Sequence, residues 1–255
     1  MALVLVASSA FALGTKLLSN HLAHAGHRTP TEVQQAADEE FRARGFAEFA
    51  SRLSRERGVS TFACESRFTL PLSHGRLEGD PPSPLERERA ERVIQDELTR
   101  YSASALSAAH LARVVIVSHL TEGGKPIPSL PNCDHAMFVD ATLEERAMRR
   151  VVHHEFFHFI DFAEDGEVGN DPNWEALNAF QFTYLGSGRD VRTPEAAFPS
   201  SALPGFINRY ATASQAEDRA ELFSYMMMEP ELVRARASTD SVLANKALAL
   251  KKYIP

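Results

Sequence analysis

The chain has 255 residues, 44% hydrophobic and 24% charged, with a net charge of −7. That length and balance suit a soluble globular protein with a substantial core. The acidic balance, with no basic stripe interleaved with aromatics, excludes nucleic acid as a partner.

Residues 2–14 are apolar, and Ala10, Phe11 and Ala12 form a small-x-small pattern of the kind that precedes a cleavage site. This suggests a secretory leader, although no positive stretch comes before it. The protein is then secreted or extracytoplasmic. The alternative is a buried helix or strand in a cytoplasmic protein. The run is too short to span a bilayer, so no stable membrane insertion is expected. No cysteine lies near Ala12 to carry a lipid anchor. Residues 21–31 are polar, include Pro30 and read as a linker. Residues 31–56 have helical spacing in Val33, Ala36, Phe41, Phe46, Phe49 and Leu53, which predicts a helical N-terminal extension over 26–80. The Pro-rich stretch at 79–84 sets a boundary, giving 1–25 as leader, 26–80 as extension and 81–255 as the main domain.

Ser83, Pro84 and Glu86 make a good helix start, with Ser83 as cap and Glu86 closing a capping box. That helix should run to about Arg100. Residues 113–117 and 137–139 read as buried strands. A long helix follows over 143–163. Asp165, Gly166, Gly169, Asn170, Asp171 and Pro172 mark the loop after it. Gly186, Ser187 and Gly188 form a flexible element bordering a cleft, and residues 240–252 make a final amphipathic helix.

The helix at 143–163 carries the most informative feature, H-E-x-x-H at His154, Glu155 and His158. Residues four apart share a helix face, so two imidazoles can hold one zinc ion with the carboxylate beside the water it activates. Phe156, Phe157, Phe159 and Ile160 make this a buried helix, where imidazoles and a carboxylate are costly unless paired. The alternative is a core helix whose histidines satisfy one another or backbone carbonyls. His153 points about 100° away from His154 around the helix and is read as structural.

Catalytic zinc takes three protein ligands and keeps a position open for water. Glu217 and Glu221, four apart on a largely apolar helix, supply the candidates. Glu217 is the third ligand, and Glu221 an acceptor for a ligand imidazole. The competing reading is a solvated acidic face paired with Arg219 or other cations.

His154, Glu155 and His158, then Tyr210, Glu217, Ala220 and Glu221, resemble the glutamate-type zincins (gluzincins). The likeness is greatest to a group of bacterial zinc-binding metallopeptidases and to the catalytic domain of anthrax lethal factor. Three features carry it: the double histidine His153-His154 before Glu155, the run Glu217-Asp218-Arg219-Ala220-Glu221 after Tyr210, and Trp174, Leu177 and Asn178 between them. It covers about residues 83–230. It implies an α+β zincin-like metallopeptidase fold, with a small mixed sheet, an active-site helix and a second ligand-bearing helix. It implies His154, His158 and Glu217 as ligands of one Zn2+ per chain, Glu155 as general base and Tyr210 as a phenol near the metal. Asp161, at the far end of the site helix, is a supporting carboxylate. Its alternative role as third ligand would place the metal too far from His154.

The function expected is therefore hydrolysis of peptide bonds in a protein or peptide substrate, with a metal-activated water and Glu155 as base. The alternatives are an inactive zinc-binding module of the same fold that binds proteins, and an interaction domain with a fortuitous motif and no metal. Substrate is expected along a sheet edge, with the strand at 137–140 as candidate edge. Trp174, Phe182 and Tyr184 could line subsites, or serve as core. Cys64 and Cys133 either close a loop of roughly 70 residues, worth about 4 kcal/mol, or are two unrelated thiols. Neither has a second Cys or His at ligand spacing that fits the main site. Oligomeric state and cleavage specificity are not encoded legibly.

Overall fold

The computed structural model describes residues 30–72, 75–133, 135–200 and 202–255. The leader-like run at 2–14 and nearly all of the linker at 21–31 lie outside them. The chain forms two compact units, Met1–Met148 and Arg149–Pro255. At residue 81, where the sequence suggested a boundary, the chain passes from strand to helix inside the first unit.

The first unit is built on a mixed sheet of eight strands: β1 (Phe46–Glu48), β2 (Ser60–Cys64), β3 (Phe68–Leu72), β4 (Gly75–Asp80), β5 (Arg113–Glu122), β6 (Lys125–Pro126), β7 (Ser129–Cys133) and β8 (Ala136–Asp140). β5 is its spine. The first half of β5 lies between β2 and β8, parallel to both, so that Val114 faces Thr61 on one side and Met137 on the other. The second half pairs antiparallel with β4 and β6. Val114, Val115, Ile116 and Val117 are fully buried, as are Met137, Phe138 and Val139. A strand covered on both faces reads as a continuous apolar run, which is why these two were visible in the sequence.

The sheet is mixed, as expected, but larger than the small sheet anticipated. Four of its strands fall within 26–80, where a helical extension was predicted. The helix α1 (Pro30–Ala43) stops because Gly45 takes φ +86°, a conformation that residues with a Cβ avoid. Phe46 then enters β1 rather than a continuing helix. It meets Phe41, Phe68 and Phe138 at ring-centroid distances of 5.6, 5.0 and 5.8 Å. Helix period gives way to the benefit of joining that cluster. Arg113, buried under the Phe41 ring, is paired with Asp38 at 2.6 Å. After α2 (Arg52–Arg57), the helix α3 (Pro84–Leu98) opens on the expected capping box, with Ser83 and Glu86 each accepting from the other's backbone N–H. A short α4 (Ala103–Ala108) follows.

β8 is not an edge. It is hydrogen-bonded to β5 on one side and β7 on the other, so no substrate strand can add to it. Cys64 is a buried free thiol whose Sγ donates to the Asp80 carbonyl at 3.1 Å, so the crosslinked alternative is not formed. Burial pushes this thiol up to about 12, which makes it a poor nucleophile.

The long helix α5 (Glu145–Asp165) belongs to the second unit from Arg149 on. The second unit also holds α6 (Pro172–Glu175), α7 (Gly188–Val191), a 3₁₀ turn at Tyr210–Thr212, α8 (Gln215–Met228), α9 (Pro230–Ala237) and α10 (Ser241–Leu250). Residues 151–159 of α5 are buried without exception. α8 is also buried along most of its length. Phe157 of α5 packs at 5.0 Å against the tilted ring of Phe223 of α8 and at 5.4 Å, edge to face, against Tyr253. Among the described residues no helix is long and apolar enough to cross a membrane.

Candidate metal centre

Two helices supply the centre, and both are fixed locally by their sequences. His154 and His158 sit one turn apart on α5, with rings 4.9 Å apart. α8 starts at the cap Ser214, whose hydroxyl accepts from the Glu217 N–H at 3.2 Å. Glu217 therefore occupies the third position of α8, where the helix dipole favours a carboxylate. Its own carboxylate turns toward the histidines.

His154 Nε2, His158 Nε2 and Glu217 Oε2 converge. The separations are 3.2 Å between the two nitrogens, 3.1 Å from Oε2 to His154 and 3.7 Å from Oε2 to His158. Glu217 Oε2 is buried without a hydrogen-bond partner. A buried carboxylate oxygen in that state is costly unless a cation completes it. Zinc bonds of about 2.0–2.2 Å in a tetrahedron place ligand atoms about 3.3–3.6 Å apart. The observed triangle fits that requirement, and the two-nitrogen, one-oxygen donor set is one that zinc accepts. These three form the cluster able to hold a metal ion among the described residues. Asp161 is not part of it.

The carboxylates and imidazoles polarise one another. Burial works against a charged His154, but Glu217, Glu221 and Glu155 outweigh it and raise the imidazole to about 10. Burial likewise opposes the Glu217 charge, and the two histidines still hold that carboxyl well below its usual range. A ligand imidazole must be neutral, so a metal arriving here displaces a proton. Zinc uptake at pH 7 should release about one proton per chain, fading as the pH is raised through about 10 where His154 is already neutral. Calorimetry in buffers of differing ionisation enthalpy measures this. No release at pH 7 would mean His154 is already neutral before the metal binds.

Glu221, one turn after Glu217, lies behind His154, with Oε1 2.8 Å from Nδ1 in ion-pair range rather than in hydrogen-bond alignment. Arg150 Nη1 donates to both Glu221 oxygens, at 2.9 and 2.7 Å, and Asn208 Nδ2 donates to Oε2. Burial raises Glu221, but Arg150, His154 and Asn208 prevail and hold it at about 2. It is thus a fixed negative charge at the back of the ligand imidazole. Neither Arg150 nor Asn208 was singled out in the sequence.

Asp161 lies three residues beyond His158 on α5. It accepts from the Gly169 N–H at 2.8 Å and pairs with Arg219 of α8. The next turn of chain is pinned as well. Gly169, at φ +69°, lies so close to α8 that a Cβ there would fall 2.7 Å from the Ala216 nitrogen. Asp171 N–H donates to Gln215 Oε1 at 3.1 Å. Arg150–Glu221 and Asp161–Arg219 therefore tie α5 to α8 on either side of the two histidines of α5, fixing the register on which the triangle depends.

Glu155 is buried between the two ligand positions on α5. Tyr210 approaches from the 3₁₀ turn, its ring 6.1 Å from that of His154. His153 is fully buried and outside the ligand cluster. Trp174 is core rather than subsite: it is 2% exposed and donates through Nε1 to Asp218 at 3.0 Å. Tyr184 donates to the same Asp218 oxygen at 2.8 Å, and Phe182 packs on Tyr184 and Phe206.

Gly188 was expected in a flexible border and is instead buried at the start of α7. A Cβ added there would collide with both Glu217 Oε1 and Tyr210 Oη, and would lie 3.1 Å from Glu217 Cδ. Gly188→Ala should therefore displace the ligand carboxylate and weaken zinc binding about 10- to 100-fold, measured by competition with a chelator. Unchanged affinity would show that α7 moves aside freely.

No protein-family model and no curated protein matches the chain. A crystal structure of a "putative zinc-binding metallo-peptidase" from Bacteroides caccae is similar at TM-score 0.49 and 13% identity, over 89% of this chain and 87% of that one. The site stands on its own geometry.

Proposed function

We propose that the chain is a zinc-dependent endopeptidase of the glutamate-zincin type, acting on a protein or peptide substrate. The observation that carries this reading is the convergence of His154, His158 and the buried Glu217 oxygen on one point. His154, His158 and Glu217 would hold one zinc ion. When bound, zinc supplies Lewis acidity, polarising the scissile carbonyl and making water a stronger acid.

The remaining steps belong to side chains. Glu155 takes the proton of the attacking water and returns it to the leaving amine. Tyr210 donates its phenolic hydrogen to the oxyanion that forms on the carbonyl, a contact of a type worth about 3 to 4 kcal/mol. Burial and the Glu217 charge raise the Tyr210 phenol well above its usual range, which keeps it a donor. Glu221, held by Arg150 and Asn208, keeps the His154 imidazole in place.

The test is zinc per chain by elemental analysis, on wild type and Glu217→Ala prepared side by side. About one zinc in wild type and a substoichiometric amount in the variant is the expected result. Zinc retained in the variant would move the third ligand elsewhere. No zinc in either would end the enzyme reading.

A further inference from the structure

The phenol of Tyr210 has a neighbour that neither the motifs nor the proposed chemistry uses. Arg192 Nη2 lies 3.5 Å from Tyr210 Oη, donating toward it. The backbone of Arg192 is anchored beside the same ring. The preceding Val191 is buried, in an apolar cluster with Ala196 and Ala213 against which Tyr210 packs. The Arg192 side chain itself is exposed.

A phenol carries one proton and its oxygen can also accept. An oxygen that accepts from a guanidinium keeps its proton for another acceptor. A charged donor on the oxygen also strengthens the hydrogen bond the hydroxyl gives. Also beside the phenol oxygen are Gly188, close enough to exclude a Cβ, and Glu217. Those neighbours restrict the room around the hydroxyl.

We propose that Arg192 is a positioning residue for Tyr210: by donating to the phenol oxygen, it turns the phenolic O–H toward the oxyanion of the substrate and makes it a better donor. This rests on the peptidase reading of the site. Arg192 acts through the phenol and does not itself bind the substrate.

The test uses the full chain with its five tyrosines labelled with 13C at Cζ, whose resonance follows hydrogen bonding at the phenol oxygen. The Tyr210 line is assigned by its loss in Tyr210→Phe. Arg192→Ala should move that line, and Arg192→Lys should move it less. A line that stays put in Arg192→Ala overturns the proposal, whether or not the protein is a peptidase.

With zinc-loaded protein and casein as the probe substrate, Arg192→Ala should lower kcat about tenfold at unchanged KM and zinc content. Arg192→Lys should recover part of the loss. In the Tyr210→Phe background, Arg192→Ala should cost nothing further. An equal loss in that background, or a change in KM alone, would assign Arg192 to substrate binding and overturn the positioning role. Should wild type bind zinc and cleave nothing, the peptidase reading fails, and the Tyr210 resonance still decides the contact.

Discussion

Glu155→Gln is expected to cut peptide-bond hydrolysis by about a thousandfold to ten-thousandfold while zinc stays near one per chain. Glutamine keeps the size of the side chain and one of its acceptors but cannot take a proton from water. Glu155 is buried on α5 between the positions of His154 and His158, yet it is outside the ligand cluster. Loss of turnover and retention of metal should therefore separate cleanly. Turnover and zinc measured on the same preparations decide it. Turnover at the wild-type rate would remove Glu155 as the base. Zinc lost together with turnover would make Glu155 a support of the metal cluster. A zinc-binding module that cleaves nothing predicts no hydrolysis in wild type either, so the comparison also tests that alternative.

The parts of this molecule that were legible in the sequence are those in which chemistry imposes a local spacing. His154 and His158 must be one helical turn apart to share a metal, and Glu217 and Glu221 repeat the same interval. Ser83 and Glu86 announce a helix start because both cap partners lie within one turn. The runs around Val114 and Met137 show themselves because a strand covered on both faces has no polar positions.

What stayed hidden depends on partners far away along the chain. Arg150 and Glu221 are 71 residues apart, and Asp161 and Arg219 are 58 apart. Nothing at either position reveals the other. The strand β1 was obscured because Phe46, Phe49 and Leu53 happen to keep helical period, and only Gly45 signals the break. Gly188 was noticed for its flexibility, whereas its role is the opposite. It lacks the one atom that would push Glu217 and Tyr210 apart. A contact made by an absent side chain leaves no positive signal in a single sequence.

The second large effect concerns a charge pair buried behind the ligand helix. Asp218, next to Glu217, accepts through Oδ2 from Lys246 of α10 at 2.7 Å, from Trp174 at 3.0 Å and from Tyr184 at 2.8 Å. Lys246 also donates to the Gly205 carbonyl at 2.9 Å and lies 3.8 Å from the centre of the Phe206 ring. Burial raises Asp218 and lowers Lys246 from their ordinary values, so each group is pressed toward its neutral form even with its partner present. The pair is thus held at a cost, and its removal should be sharply asymmetric. Lys246→Met leaves a carboxylate in the interior without its counter-charge and should cost about 3 to 5 kcal/mol, a fall in Tm of about 6 to 20 °C. Adding Asp218→Leu removes the stranded charge and should restore part of that loss. The restoration stays incomplete because the Trp174 N–H and Tyr184 O–H lose their acceptor, at about 1 to 3 kcal/mol each. Thermal melts of the wild type, both single variants and the double variant give the coupling directly. If the double variant is no more stable than Lys246→Met, the stranded charge is not what destabilises that variant, and the loss lies instead in the packing of the lysine stem against Trp174 and Phe206.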